Sequence, residues 1–244
     1  MCTTVKVVLI GDTCVGKSAV AQGLAELSSH PDAAQQEVGR SSPARATASG
    51  TLAPATRHHV PTLGVEFYQS FVTTVGPPGS AIKLNVWDMG GLPRVRSLIS
   101  PYFHKADTLV LLYSRDDLGT LHSLQTRWLR LPAVALTRPS LVYVVGTTLP
   151  AWCAKPGVLD PPRRARFTEA LAAVVQAVVA AFPSAKQVVA IDTVIGCVHS
   201  CRALQTRLAS DAVVHKVGTV FSGPLGTSLS ERATRAKPWG CAVS

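Results

Sequence analysis

Thr4 to Ile10 is a short run rich in β-branched apolar residues, with Lys6 inside it, and it reads as a strand buried on both faces. Five more strand-like runs follow. Glu66 to Val75 and Ala81 to Trp87 are joined by the turn V-G-P-P-G-S and read as a hairpin. Thr108–Tyr113, Leu141–Gly146 and Gln187–Asp192 are buried runs that stand apart from one another. Helical stretches separate them: Ala19–Leu27, Leu118–Leu131, Pro161–Phe182 with proline at its start, and Cys197–Lys216. Pro93 to Lys105 reads as a loop with a short helix. This alternation predicts a three-layer α/β fold, with a mostly parallel six-stranded sheet, one antiparallel strand, and helices on both faces.

Two segments break the pattern. Residues 28–59 are dominated by small residues, proline and serine, and are expected to stay disordered as an insertion. Residues 217–244 have no sustained periodicity and read as a tail, so one domain spans 1–216. The net charge of +10 is scattered, with no basic block or interleaved aromatic patch, so no nucleic acid is expected as a partner. The first strand leads straight into a loop, so no signal peptide is expected. The longest apolar stretch, Ala170–Phe182, is broken by Gln176 and too short to span a bilayer. Six cysteines without paired C-x-x-C spacing point to a reducing cytosol.

The first strand runs into G-D-T-C-V-G-K-S, where Gly11, Gly16, Lys17 and Ser18 fit G-x-x-x-x-G-K-[ST]. Strand, glycine loop and helix in that order turn the pattern into a phosphate site. Backbone N–H groups of Gly11, Asp12, Thr13, Cys14, Val15 and Gly16 would face the phosphates, helped by the helix N-terminus. Lys17 would reach the β- and γ-phosphates, and Ser18 would hold Mg2+. Further on, Thr62 lies in the loop before a strand, and Asp88 ends an apolar strand in W-D-M-G-G. An acidic residue at that place is the usual second support for Mg2+, and Gly91 would bring an N–H to a γ-phosphate. Plainer roles exist, Thr62 in a turn and Asp88 as a helix cap. Their order after the phosphate loop favours the functional roles.

The other metal candidates are weaker. His58 and His59 lack nearby cysteine or carboxylate partners, and on a helix Cys197 and Cys201 share a face from which His199 points away, which reads as packing. The chain ends C-A-V-S, which fits C-a-a-X with Cys241 as the prenylated residue and serine favouring a farnesyl group. One prenyl chain anchors marginally, and Arg232, Arg235 and Lys237 would supply a second, basic signal for the membrane.

Together these segments resemble the Ras superfamily of small GTPases, and within it the Rab branch, over residues 4–216 with 28–59 as an insertion. G-D-T-C-V-G-K-S resembles the Rab phosphate loop. T-L-G-V-E-F resembles Rab switch I, with Thr62 at the position that senses Mg2+ and the γ-phosphate. I-K-L-N-V-W-D-M-G-G resembles the strand and switch II start of Rab and Ran proteins. The double glycine, the P-P-G hairpin and C-A-V-S look most like the atypical Rab branch that ends in a C-a-a-X box. The resemblance implies a P-loop NTPase fold, GTP/GDP and Mg2+ as cofactors, and effector and regulator proteins as partners. It also implies a monomer at the cytosolic face of a membrane, with a cytosolic pool, in vesicle or ciliary traffic.

The departures from the family cluster at two places. Leu92 stands where the family has the glutamine that orients the attacking water, so slow hydrolysis is expected and no catalytic residue is assigned. Where the family reads guanine with N-K-x-D, this chain has Thr147, Thr148 and then Pro150 at the aspartate position. Residues 190–196 replace the S-A-K loop, with Asp192 a loosely held substitute for the base acceptor, and no aromatic residue lies between Ser18 and Thr62 to stack on a base. Cys14 stands where the phosphate loop usually has glycine. Three functions compete: a slow GTP-binding membrane switch, a prenylated pseudo-GTPase scaffold with weak or unselective nucleotide binding, and an unrelated P-loop kinase. The hairpin before Asp88 disfavours the last.

Overall fold

Alternation along the strands decides which layer each side chain meets. The computed structural model describes residues 2–28, 61–73, 81–93, 99–148 and 161–216. Most of the insertion, the hairpin turn, Pro150 and the tail with Cys241 lie outside the described residues. The strands are β1 (Cys2–Ile10), β2 (Val65–Thr73), β3 (Ala81–Met89), β4 (Thr108–Ser114), β5 (Leu141–Thr148) and β6 (Gln187–Val194). They form one sheet in the order β2-β3-β1-β4-β5-β6. Only the β2–β3 pair is antiparallel, as its hairpin sequence requires, and the other neighbours run parallel.

The helices are α1 (Lys17–Glu26), α2 (Leu118–Ser123), α3 (Pro132–Ala135), α4 (Pro161–Ala181) and α5 (Val198–Lys216). Val5, Val7 and Leu9 of β1 join Leu112 and Val145 under α1 and α5, which contribute Val20, Leu24, Leu204 and Leu208. Val8 and Ile10 point the other way, to a second cluster with Leu121 of α2 and Phe167, Val174 and Val178 of α4. Both faces of the central strands are therefore covered, which is why they read as continuous apolar runs.

The predicted single helix over Leu118–Leu131 is divided. After the six residues of α2 the chain widens into a π turn, Leu124–Trp128, and α3 forms separately after Leu131. Leu129 N–H donates to the Leu124 carbonyl, five residues back, at 2.9 Å. Pro132 has no N–H to continue the ladder and sits instead at the first turn of α3. Between β3 and β4, Ser100–Phe103 is a 3-10 turn.

Two polar groups tie α5 to the sheet. The Gln205 amide donates to Ser70 Oγ at 2.7 Å and to the Leu24 carbonyl at 3.2 Å, so α5, β2 and the end of α1 share one buried network. The Tyr143 hydroxyl donates to Asp211 at 2.5 Å, and Arg207 Nε donates to the same carboxylate oxygen at 2.6 Å. Tyr143 is fully buried, and burial with its bond to Asp211 pushes the phenol pKa far up. Asp211→Ala would strand that hydroxyl in the core at a cost of about 1–3 kcal/mol, whereas Tyr143→Phe removes the hydroxyl itself and costs less. Urea denaturation of the two variants should give that order.

Candidate functional site

β1 delivers the chain to the carboxyl edge of the sheet, and the glycine loop turns there into α1. Gly16, the residue before α1, has φ 89°, a left-handed conformation natural to glycine. Cys14 also lies in the left-handed region, at φ 65°, although it carries a Cβ. That explains why glycine is the usual residue at this place in such loops: the turn needs a left-handed backbone there. Thr13, Cys14, Gly16, Lys17, Ser18, Thr62 and Gly91 line one pocket over the loop.

Charge and hydroxyl groups converge under that pocket. Lys17 is 5% exposed, and its Nζ donates to the Asp12 carbonyl at 2.7 Å. Burial pushes its pKa down, against the opposing fields of Asp88 and Asp12. Asp88, at the end of β3, has no exposed surface. Ser18 Oγ donates to Asp88 Oδ2 at 2.5 Å and lies 3.1 Å from Thr62 Oγ1. The other carboxylate oxygen, Asp88 Oδ1, is buried without a hydrogen-bond partner among the described residues. Burial raises the Asp88 pKa, and the Ser18 bond and the Lys17 charge pull it back.

The segment after β3 closes on the loop. A Cβ on Gly91 would lie 2.5 Å from Thr13 N and 2.6 Å from the Asp12 carbonyl carbon, so only glycine fits this approach. Gly90 N–H donates to the Gly64 carbonyl at 2.7 Å, which ties the segment after β3 to the one that carries Thr62. Leu92 follows, half-buried.

The candidates at the other end do not come together. Thr147 is buried, and its hydroxyl donates to the Val15 carbonyl at 2.7 Å, with the Tyr113 carbonyl also within 3.0 Å. It braces the phosphate loop from beneath. Asp192 pairs in register with Gly146, one residue before Thr147, and so lies on the opposite face of the sheet. Its carboxylate receives Arg115 at 2.8 Å. Thr148 ends β5, and its carbonyl accepts the Ile195 N–H at 2.9 Å. Cys201 is buried in α5, where desolvation pushes its thiol up to about 12, and Cys197 is its i−4 neighbour.

Two residues at the site had no signal in the sequence. Ile195 packs on Gly16, its Cδ1 2.3 Å from where a Cβ would stand. Trp128 Nε1 donates to Asp12 Oδ1 at 2.9 Å. Trp128 reads in sequence only as an apolar residue within a predicted helix, and Ile195 only as part of the stretch 190–196.

Comparison with known proteins places this geometry. The family described as "Ras of Complex, Roc, domain of DAPkinase" matches residues 34–149, a stretch that begins beyond the phosphate loop. Rab-4B of Rattus norvegicus is 36% identical over 109 residues, covering 45% of this chain and 46% of that protein. Rab-1D of Dictyostelium discoideum is 30% identical over 112 residues, 46% of this chain and 41% of the relative. The GTP-binding protein YPTM1 of Zea mays is 27% identical over 124 residues, 51% and 45% of the two chains. The matched stretches span less than half the length of each of these relatives. No helix among the described residues is long and apolar enough to cross a membrane. With the sheet order and the glycine loop beside these likenesses, the chain is similar to the Ras superfamily of small GTPases, and within it to Rab proteins.

Proposed function

We propose that this chain is a GTP/GDP-binding switch of Rab type, with slow intrinsic hydrolysis, anchored to the cytosolic face of a membrane in vesicle or ciliary traffic. The observation that carries the reading is the convergence of Lys17, Ser18, Thr62 and Asp88 at one glycine loop. Loop N–H groups and the Lys17 ammonium bind and orient the polyphosphate. One carboxylate and two hydroxyls form a hard oxygen set, and the unpartnered Asp88 Oδ1 fits a cation as its missing partner. Ser18, Thr62 and Asp88 would therefore hold Mg2+, which when bound neutralises phosphate charge. Thr62 and Gly91 sit on the two segments joined by the Gly90–Gly64 bond, so a γ-phosphate that engages either would order both.

The Leu92 side chain has no polar atom that can orient water, which supports slow turnover and a long-lived GTP form. Partner proteins would read the surface beside these segments. Phe67, Trp87 and Tyr102 form a row of tilted rings with centroids 4.8 and 5.3 Å apart. Phe67 is 39% exposed and Leu63, next to Thr62, 70% exposed. The membrane part rests on Cys241 and the basic tail.

The base end favours a second reading, weak or unselective choice of nucleotide, as in a pseudo-GTPase scaffold. The Thr147 hydroxyl, the Asp192 carboxylate and the Ile195 N–H all have partners within the protein. A pocket that does not hydrogen-bond its base discriminates poorly. Titration with fluorescent GTP, GDP and ATP, with and without Mg2+, separates the readings. The switch reading expects Mg2+-dependent binding of GTP over ATP, weakened about a hundredfold or more in Lys17→Ala. Equal GTP and ATP binding selects the second reading, and no binding removes the first. In single-turnover assays the wild type should hydrolyse GTP more slowly than an ordinary Rab, and Leu92→Gln should raise the rate about tenfold or more.

Asp88 makes a further, opposite-signed expectation. An acid whose folded pKa lies above its unfolded value favours the folded state when protonated, and that advantage fades as pH rises through the folded pKa. At neutral pH its ionised form is therefore a liability in the ligand-free protein. Asp88→Asn should raise ligand-free stability by about 1–2 kcal/mol and flatten the acid side of the stability profile. The same variant should lose the Mg2+-dependent gain in nucleotide affinity. Thermal melts with and without Mg2+ and GDP read both effects.

A further inference from the structure

One side chain reaches the phosphate loop from the far layer of the fold. Trp128 closes the π turn and has no exposed surface, yet its indole N–H donates to the carboxylate of Asp12, the second residue of the loop. The same residue's carbonyl holds Lys17 Nζ at 2.7 Å, and its peptide is the surface on which Gly91 closes. Asp12 thus joins the lysine, the segment after β3 and the second core cluster. The π turn makes the reach possible. Each residue in an α-helix advances about 100° around the axis, so without the extra residue of the wide turn the indole would face elsewhere.

We propose that Trp128 is a positioning residue of the phosphate site: its N–H fixes the Asp12 side chain, and through it the peptide that holds Lys17 and receives Gly91. This rests on the reading of the glycine loop as a phosphate site. The interaction is directional. Phenylalanine fills much of the same space but donates nothing, so packing and positioning are separable. A buried indole N–H needs an acceptor for its own sake, and on that simpler account the loop would be indifferent to it.

The test compares full-length wild type, Trp128→Phe, Asp12→Ala and the double variant. Affinity is measured with N-methylanthraniloyl-GDP in Mg2+, and indole N–H groups are followed in 15N-labelled protein. Each single variant should bind about tenfold more weakly, the size expected for one hydrogen bond to a charged group. The double variant should be no worse than the weaker single one, because both remove the same contact. The Trp128 indole resonance, identified by its loss in Trp128→Phe, should move in Asp12→Ala. Wild-type affinity in Trp128→Phe, losses that multiply in the double variant, or an unmoved indole signal would each overturn the proposal while leaving the phosphate site standing. A wild type that binds no probe removes the proposal together with the reading beneath it.

Discussion

A buried lysine and a buried aspartate beneath one loop set the terms for the rest of the site. Lys17 and Asp88 are both buried, so each must be answered by fixed groups. Lys17 is answered by a loop carbonyl and by the nearby carboxylates, and Asp88 is half answered by Ser18. The sheet order makes this possible, because β3 lies directly beside β1 and its end meets the start of α1. Thr62 lies in the loop just before β2, the strand that pairs antiparallel with β3. The hairpin is thus what brings the third oxygen to the other two.

Much of this was legible in the sequence, for identifiable reasons. The strands were visible because both faces of the central sheet are covered, so their runs are largely apolar. The glycine loop was visible because its backbone demands particular residues at fixed spacing. The π turn was not, since Leu124–Trp128 keeps a helix-like pattern and the widening is a matter of one hydrogen-bond step. The stop at Leu131 was readable, since Pro132 follows it, but the short helix α3 that begins there was not. Side-chain direction at the ends of β5 and β6 was also hidden. Thr147 and Asp192 are close in the fold but lie on opposite faces, which depends on a register that only the paired strands reveal.

The two ends of the site differ in kind. At the proposed phosphate end, polar groups converge and one carboxylate oxygen has no hydrogen-bond partner among the described residues. At the base end, hydroxyl, carboxylate and amide are matched within the protein. Internal matching makes a surface stable and incurious, because a ligand must break a bond to gain one. Unmatched groups do the reverse. The asymmetry sets where this molecule can gain from a ligand, apart from any motif.

Cys14 carries a quieter consequence. A left-handed residue with a Cβ strains the loop by roughly 1–2 kcal/mol, which the surrounding contacts hold in place. Glycine would relax that strain while widening the unfolded ensemble at a cost of about 0.5–1 kcal/mol. The two terms oppose each other and leave only a small net preference for glycine, about 0.5–1 kcal/mol. The chain therefore carries a thiol at the mouth of the pocket at a small thermodynamic cost, without a change in the architecture beneath it.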